Sequence, residues 1–395
     1  MHQRNVCPRA LHENLPRPKL SLRPLYRGKS PRVTARTLLC ALGATLTFAG
    51  IIAAQSVAQI RKSAPKTPQF GHWGPSGYHL IRKIPIPGND SFGRLEFNAV
   101  RRRVFLADDA HVVIINPYLG KIVGNIPNMR GARDVAFAPE LRRGFISEEQ
   151  ANDVAIFDSL TLKVIAKAPA GQGPDAIIYD PATKRVFTMN PRSNTATAIN
   201  AVTAKHIGDV ALGGQPSVAV TDGQGHIYIN LRNTSEEVQL DAKTLAILNR
   251  WTMSPCENPA GLSIDPKERV LFIGCRDDKM GIMNADTGKI LAAPATGAGA
   301  GTGRFDPVTK YALSANADGT LTIVIEAGED RFNVVENVET ERGARNMALD
   351  PKIHEVFLVT ADFEPLPPNA PPDTAPKMIP GTTHVLVFAR DYLYK

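Results

Sequence analysis

The sequence predicts an all-β chain, a seven-bladed β-propeller of four-stranded blades whose last blade is closed by the N-terminal strand, and three observations predict it. First, one turn spelling recurs. Asp180-Pro181, with Pro where a type I turn needs φ preset, returns as Asp265-Pro266, Asp306-Pro307 and Asp350-Pro351, and in altered form as Asn98-Ala99, Ala138-Pro139 and Asp222-Gly223. The intervals are 40, 42, 42, 43, 41 and 44 residues, a period that with strand-rich content marks propeller blades. Second, each unit carries another turn, at Asp158-Ser159-Leu160-Thr161, Asn200-Ala201-Val202-Thr203, Asp241-Ala242-Lys243-Thr244 and Asn284-Ala285-Asp286-Thr287, with a looser copy at Asn116-Pro117-Tyr118-Leu119-Gly120. Asp and Asn suit it because their side chains bond the backbone two residues on. Third, the ends are complementary: the seventh unit lacks a fourth strand, and an orphan strand at residues 78–86 precedes the first unit. Joining them closes the ring and removes the exposed edges of the array.

In chain order, residues 1–37 hold nine Lys or Arg against the single acid Glu13. Residues 38–54 are uninterruptedly apolar, and Ser56-Val57-Ala58 puts small residues before Gln59, as a signal-peptidase site requires. The reading is a leader over 1–58 with an export signal cleaved after Ala58, hence a periplasmic or secreted protein. An uncleaved membrane anchor is the alternative, and the only membrane attachment expected. Residues 59–77 form a linker. The propeller takes 78–395, interrupted in its seventh unit by a Pro-rich insertion at about 364–380.

The whole chain carries +8, but that charge belongs to the leader: beyond residue 58 there are 37 bases and 37 acids. A neutral folded part removes the usual inference from a basic protein to a nucleic-acid partner. Of four cysteines, Cys7 and Cys40 lie in the leader. Cys256 and Cys275 flank one hairpin, a pair that an oxidising compartment can join as a disulfide, free thiols being the alternative.

The second-strand segments Phe187-Thr188-Met189-Asn190 and Leu313-Ser314-Ala315-Asn316, with residues 256–266 and 314–322, resemble the repeats of the YVTN-type β-propeller family, the YncE-like exported propellers. The resemblance covers about residues 78–395. It implies the fold and little about activity, because propellers of this kind include binding proteins, lactonases and quinoprotein dehydrogenase subunits.

Two rings of residues are expected at the channel mouth, where the loops entering strand one and leaving strand two converge. Five residues before each turn stand Gly93, Arg133, Asp175, Ser217, Ala260, Gly301 and Arg345. Ten residues after it stand Asp108, Glu148, Asn190, Cys275, Asn316 and Thr360, with Asn230 at that level in the shortened unit. Arg94, Arg133 and Arg345 fall on three consecutive blades of the closed ring. Converging guanidinium groups suit a carboxylate or phosphate, whose oxygens they bond in pairs. Arg94, Arg133, Asp175, Asn190, Asn316 and Arg345 are therefore the candidate ligand-binding residues.

The expected function is binding, of a small anionic molecule or a protein partner, by a monomer with no cofactor and no chemistry of its own. The alternative is a lactonase-like hydrolase in which Asp108, Glu148 and Asp175 hold a divalent cation. No zinc spacing, phosphate loop or nucleophile elbow occurs in the sequence.

Overall fold

The computed structural model describes residues 74–88, 91–328, 330–365 and 376–391. The expected leader and export signal, the expected linker up to residue 73 and the middle of the Pro-rich stretch lie outside the described residues. The chain divides into Met1–Phe70 and Gly71–Lys395, and the second unit holds every described residue. Among them, no helix is long and apolar enough to cross a membrane.

β1 (Tyr78–Pro85) comes first. A six-stranded sheet follows in chain order: β2 (Leu95–Asn98), β3 (Arg103–Asn116), β4 (Lys121–Ala138), β5 (Arg143–Glu148), β6 (Asp153–Asp158) and β7 (Val164–Pro169). Next is a four-stranded sheet of β8 (Ile177–Asp180), β9 (Arg185–Asn190), β10 (Thr195–Asn200) and β11 (His206–Ala211). Its neighbour has β12 (Pro216–Thr221), β13 (His226–Leu231), β14 (Glu236–Asp241) and β15 (Ile247–Thr252). Then come β16 (Pro259–Asp265), β17 (Val270–Cys275), β18 (Lys279–Asn284) and β19 (Ile290–Ala292), and after them β20 (Ala300–Asp306), β21 (Tyr311–Asn316), β22 (Thr320–Glu326) and β23 (Phe332–Glu339). β24 (Asn346–Asp350), β25 (Glu355–Thr360) and β26 (His384–Arg390) complete the ring with β1, which pairs antiparallel with β26 from Tyr78↔Arg390 to Pro85↔His384.

The strands thus form six sheets where the repeat period predicts seven, and by its hydrogen-bonded sheets the propeller has six blades. The cause lies in β3 and β4. At 14 and 18 residues, each runs through what the repeat reads as two separate strands. Register shifts between Asp109 and His111 and between Ala132 and Asp134 bend the ladder without ending it. One sheet therefore takes in the first two repeats. Packing still follows the repeats, because the apolar core is seven clusters, each joining side chains of consecutive units. One of them lies between the two halves of the six-stranded sheet, where the rings of Phe105 and Phe137 meet edge to face at 4.8 Å.

Second strands such as β9 are buried on nearly every residue because each blade is covered by two neighbours, Val186 packing into one inter-unit cluster and Phe187 and Met189 into the next. Rim strands such as β15 are mostly exposed. The turns close as their spelling predicts: Asp180 Oδ2 accepts from the Thr183 amide at 2.9 Å and its hydroxyl at 2.6 Å, and Asp158 Oδ1 from the amides of Leu160 and Thr161 at 2.9 and 2.8 Å. Arginines then fasten one unit to the next. Arg143 Nη1 donates to the Ala201 and Val202 carbonyls, both at 2.6 Å, and Arg185 Nη1 to those of Ala242 and Lys243 at 2.7 and 2.8 Å.

Candidate functional site

The loops entering the first strands meet at one end of the channel. Six of the seven first-ring residues, Gly93, Arg133, Asp175, Ala260, Gly301 and Arg345, line a cavity of about 340 Å³ together with Arg94. Ser217 is buried instead, its hydroxyl donating to the Pro259 carbonyl at 3.1 Å. Backbone hydrogen bonds between units hold this ring: the Arg94 amide donates to the Arg133 carbonyl at 2.9 Å, and the Thr302 amide to the Arg345 carbonyl at 2.8 Å. So close an approach requires glycine. A Cβ on Gly93 would stand 2.6 Å from the Arg133 oxygen, and one on Gly301 2.1 Å from the Arg345 oxygen.

The second ring does not reach the mouth. Asn190 is fully buried; it accepts from the Thr188 hydroxyl at 2.9 Å and donates to those of Thr195 and Thr197 at 3.1 and 2.9 Å. Asn316 repeats the arrangement with Ser314 at 2.9 Å, Thr320 at 3.0 Å and Thr322 at 2.9 Å. Their polar atoms are spent on locking the hairpin, which corrects the expectation that they contact a ligand. Strand side chains alternate, so the residue one position on faces the cavity: Glu149, Pro191 and Arg276 line it. In the shortened unit the lining residue is Arg232, two positions beyond Asn230. Arg232 and Arg276 are what the sequence reading missed, and a strict count of ten from Asp222 falls on Arg232.

Asp108, Glu148 and Asp175 do not assemble into a cation site. Asp108 accepts from the Ser91 hydroxyl at 2.8 Å and faces His111 at 3.3 Å. Glu148, wholly buried, is paired with Lys167 and accepts from the Arg130 amide at 2.8 Å. Asp175 is bound to Arg94. Among the described residues, the one group of acids, histidines and cysteines close enough to share a cation is Cys256, Cys275 and Asp277. Those two cysteines are disulfide-bonded, with Cα atoms 5.7 Å apart.

The charges of the mouth are unequally matched. Arg94 forms a two-point pair with Asp175 at 2.6 and 3.2 Å. Glu149 is held by Arg133 and, at 2.5 Å, by Arg192. Among the described residues, Arg232, Arg276 and Arg345 have no carboxylate partner. Arg232 Nε is buried without a hydrogen bond. Burial, and behind it repulsion from Arg94 and Arg345, pull the Arg232 pKa down against the opposing pull of Asp175. At Arg276, an exposed residue whose guanidinium loses part of its water where it lines the cavity, that desolvation and then repulsion from Arg232 and Arg345 act in the same direction. Arg94 and Thr302 also line a second cavity of about 470 Å³, further along the channel among the first strands. There Arg304 donates to Glu96 at 2.8 Å, and burial raises Asp134 to about 7, with Arg94 opposing and Glu96 reinforcing the shift.

No family model matches the chain, and no curated protein does. Solved structures match in large number, 1782 chains, so no single neighbour singles out a function. A chain of hydrazine synthase from Kuenenia stuttgartiensis is 12% identical with a TM-score of 0.60, covering 71% of this chain and 94% of that one. A chain of the mitotic checkpoint complex is 14% identical with a TM-score of 0.65, covering 91% and 100%. At such identities the likeness extends to the fold alone, and the fold it supports is a β-propeller.

Proposed function

We propose that this propeller, an exported protein of the YncE-like kind, is a binding module that receives an anionic ligand at its channel mouth and performs no chemistry of its own. The observation that carries the reading is the set Arg232, Arg276 and Arg345: three cations around one cavity with no acid among the described residues to pair them. Unpaired guanidinium groups held close together are costly without counter-charge, and an arriving oxyanion supplies it with two-point hydrogen bonds. The hydrolase alternative finds no such support, because Asp108, Glu148 and Asp175 each already engage a base in a different place.

The test is titration calorimetry of the mature chain with citrate and with inorganic phosphate. Binding is expected, and each of R232A and R276A weakens it about tenfold or more, the scale of a charged hydrogen bond of roughly 1.5–3 kcal/mol. A double variant that binds both anions as tightly as the parent protein overturns the reading.

A further inference from the structure

We infer that the mouth selects a compact, non-aromatic oxyanion whose two or three negative charges lie close together, as in a tricarboxylate or a phosphate monoester, over a single carboxylate or a nucleotide. This rests on the anion-binding reading just given. The charge follows from the count of unpaired cations. One carboxylate would leave two of Arg232, Arg276 and Arg345 without counter-charge, while a multiply charged group can face all three. A cationic or zwitterionic ligand is disfavoured because both carboxylates of the cavity, Asp175 and Glu149, are already held by arginines. Apolar contacts in the cavity come from Gly93, Gly173, Pro191, Ala260 and Gly301, and among the described residues no aromatic ring lines it. A nucleobase would therefore find no stacking partner. The volume, about 340 Å³, lies at the small end of ligand sites and suits a compact molecule.

The experiment is calorimetry of the mature protein, at fixed ionic strength, with tricarballylate, glycerol 3-phosphate, acetate, adenosine monophosphate and polyglutamate. Tricarballylate and glycerol 3-phosphate are expected to bind at least about 30-fold more tightly than acetate, and the nucleotide no more tightly than glycerol 3-phosphate. Arg276 and Arg345 are exposed, so R276A and R345A keep the fold, checked by an unchanged melting temperature, and each cuts the preference for tricarballylate over acetate about tenfold. Acetate binding within about threefold of tricarballylate, or a nucleotide favoured tenfold over glycerol 3-phosphate, overturns the ligand class and leaves the anion reading standing. Binding of polyglutamate alone does the same, by removing the compactness. Failure of all five probes to bind overturns both.

Discussion

Glu237, on β14, is fully buried opposite Asn230 of β13, and neither its carboxylate oxygens nor the Asn230 side-chain oxygen has a hydrogen-bond partner. Burial alone pushes its pKa well above the usual carboxylate range. The folded protein therefore holds this proton to higher pH than the unfolded chain, which ionises the acid above a pH of about 4.3. Stability from this site is complete below that pH and is lost progressively as pH rises toward the folded value. Replacing Glu237 by Gln keeps the shape and removes the titration. E237Q is expected to melt close to the parent protein at pH 4 and above it at pH 8, the gap widening as pH rises. An equal difference at both pH values refutes the assignment. Nothing in Glu236-Glu237-Val238-Gln239 announces such burial, because polar residues on a third strand look alike whether a neighbouring blade covers them or not. The same blindness explains the mouth. Arg94, Arg133, Asp175 and Arg345 were legible because the first-strand loops keep constant length. Asn190 and Asn316 were misplaced because a one-residue offset at a strand end turns a side chain to the opposite face, and the same offset at Cys275 hid the role of Arg276 just beyond it.

At the scale of elements, the turns were readable because Asp, Asn and Pro impose them locally, and the closing strand because a unit missing its fourth strand has to find one. The boundary between the first two repeats was not readable. It falls inside β4, which pairs with β3 up to Pro127 and with β5 from Ala132, and the strand runs on through Pro127 and Gly131, residue types that usually end one. Ring closure gives a direct test. β1 covers the edge of β26 and buries Ile84 completely, with Ile86 just beyond it. A chain starting at Gly71 retains this strand and is expected to melt cooperatively. A chain starting at Pro87 loses the pairing and both isoleucines, each worth about 2–5 kcal/mol when truncated in a core, and is expected to unfold below the growth range of ordinary mesophiles or to aggregate through the bared edge. Equal melting temperatures for the two chains rule out β1 as the closing element.

Across the whole molecule beyond residue 58, charge is concentrated without being in excess. This part of the chain is neutral, yet its mouth holds cations that outnumber their acids, carried on a ring of loops tied together by backbone hydrogen bonds. One arginine of the mouth spans that ring. Arg94, from the first repeat, reaches Asp175 of the third, and the pair lies between the mouth and the inner channel. It withholds a fourth guanidinium from the site. Converting Asp175 to Asn removes the charge with little change of shape and leaves Arg94 to the ligand, so D175N is expected to bind tricarballylate more tightly, by about tenfold at 0.05 M salt. The gain is electrostatic and should shrink toward nothing at 1 M salt, where the screening length falls to roughly 3 Å. The same substitution should lower stability by about 1–3 kcal/mol, because it strands a half-buried arginine that the fold currently pairs. Calorimetry across the salt series and thermal melting read the two effects separately. Weaker binding by D175N at low salt, with the fold intact, would show that the ligand needs the Arg94–Asp175 pair as it stands, and the mouth would then recognise its anion through an ordered ion pair rather than through surplus positive charge.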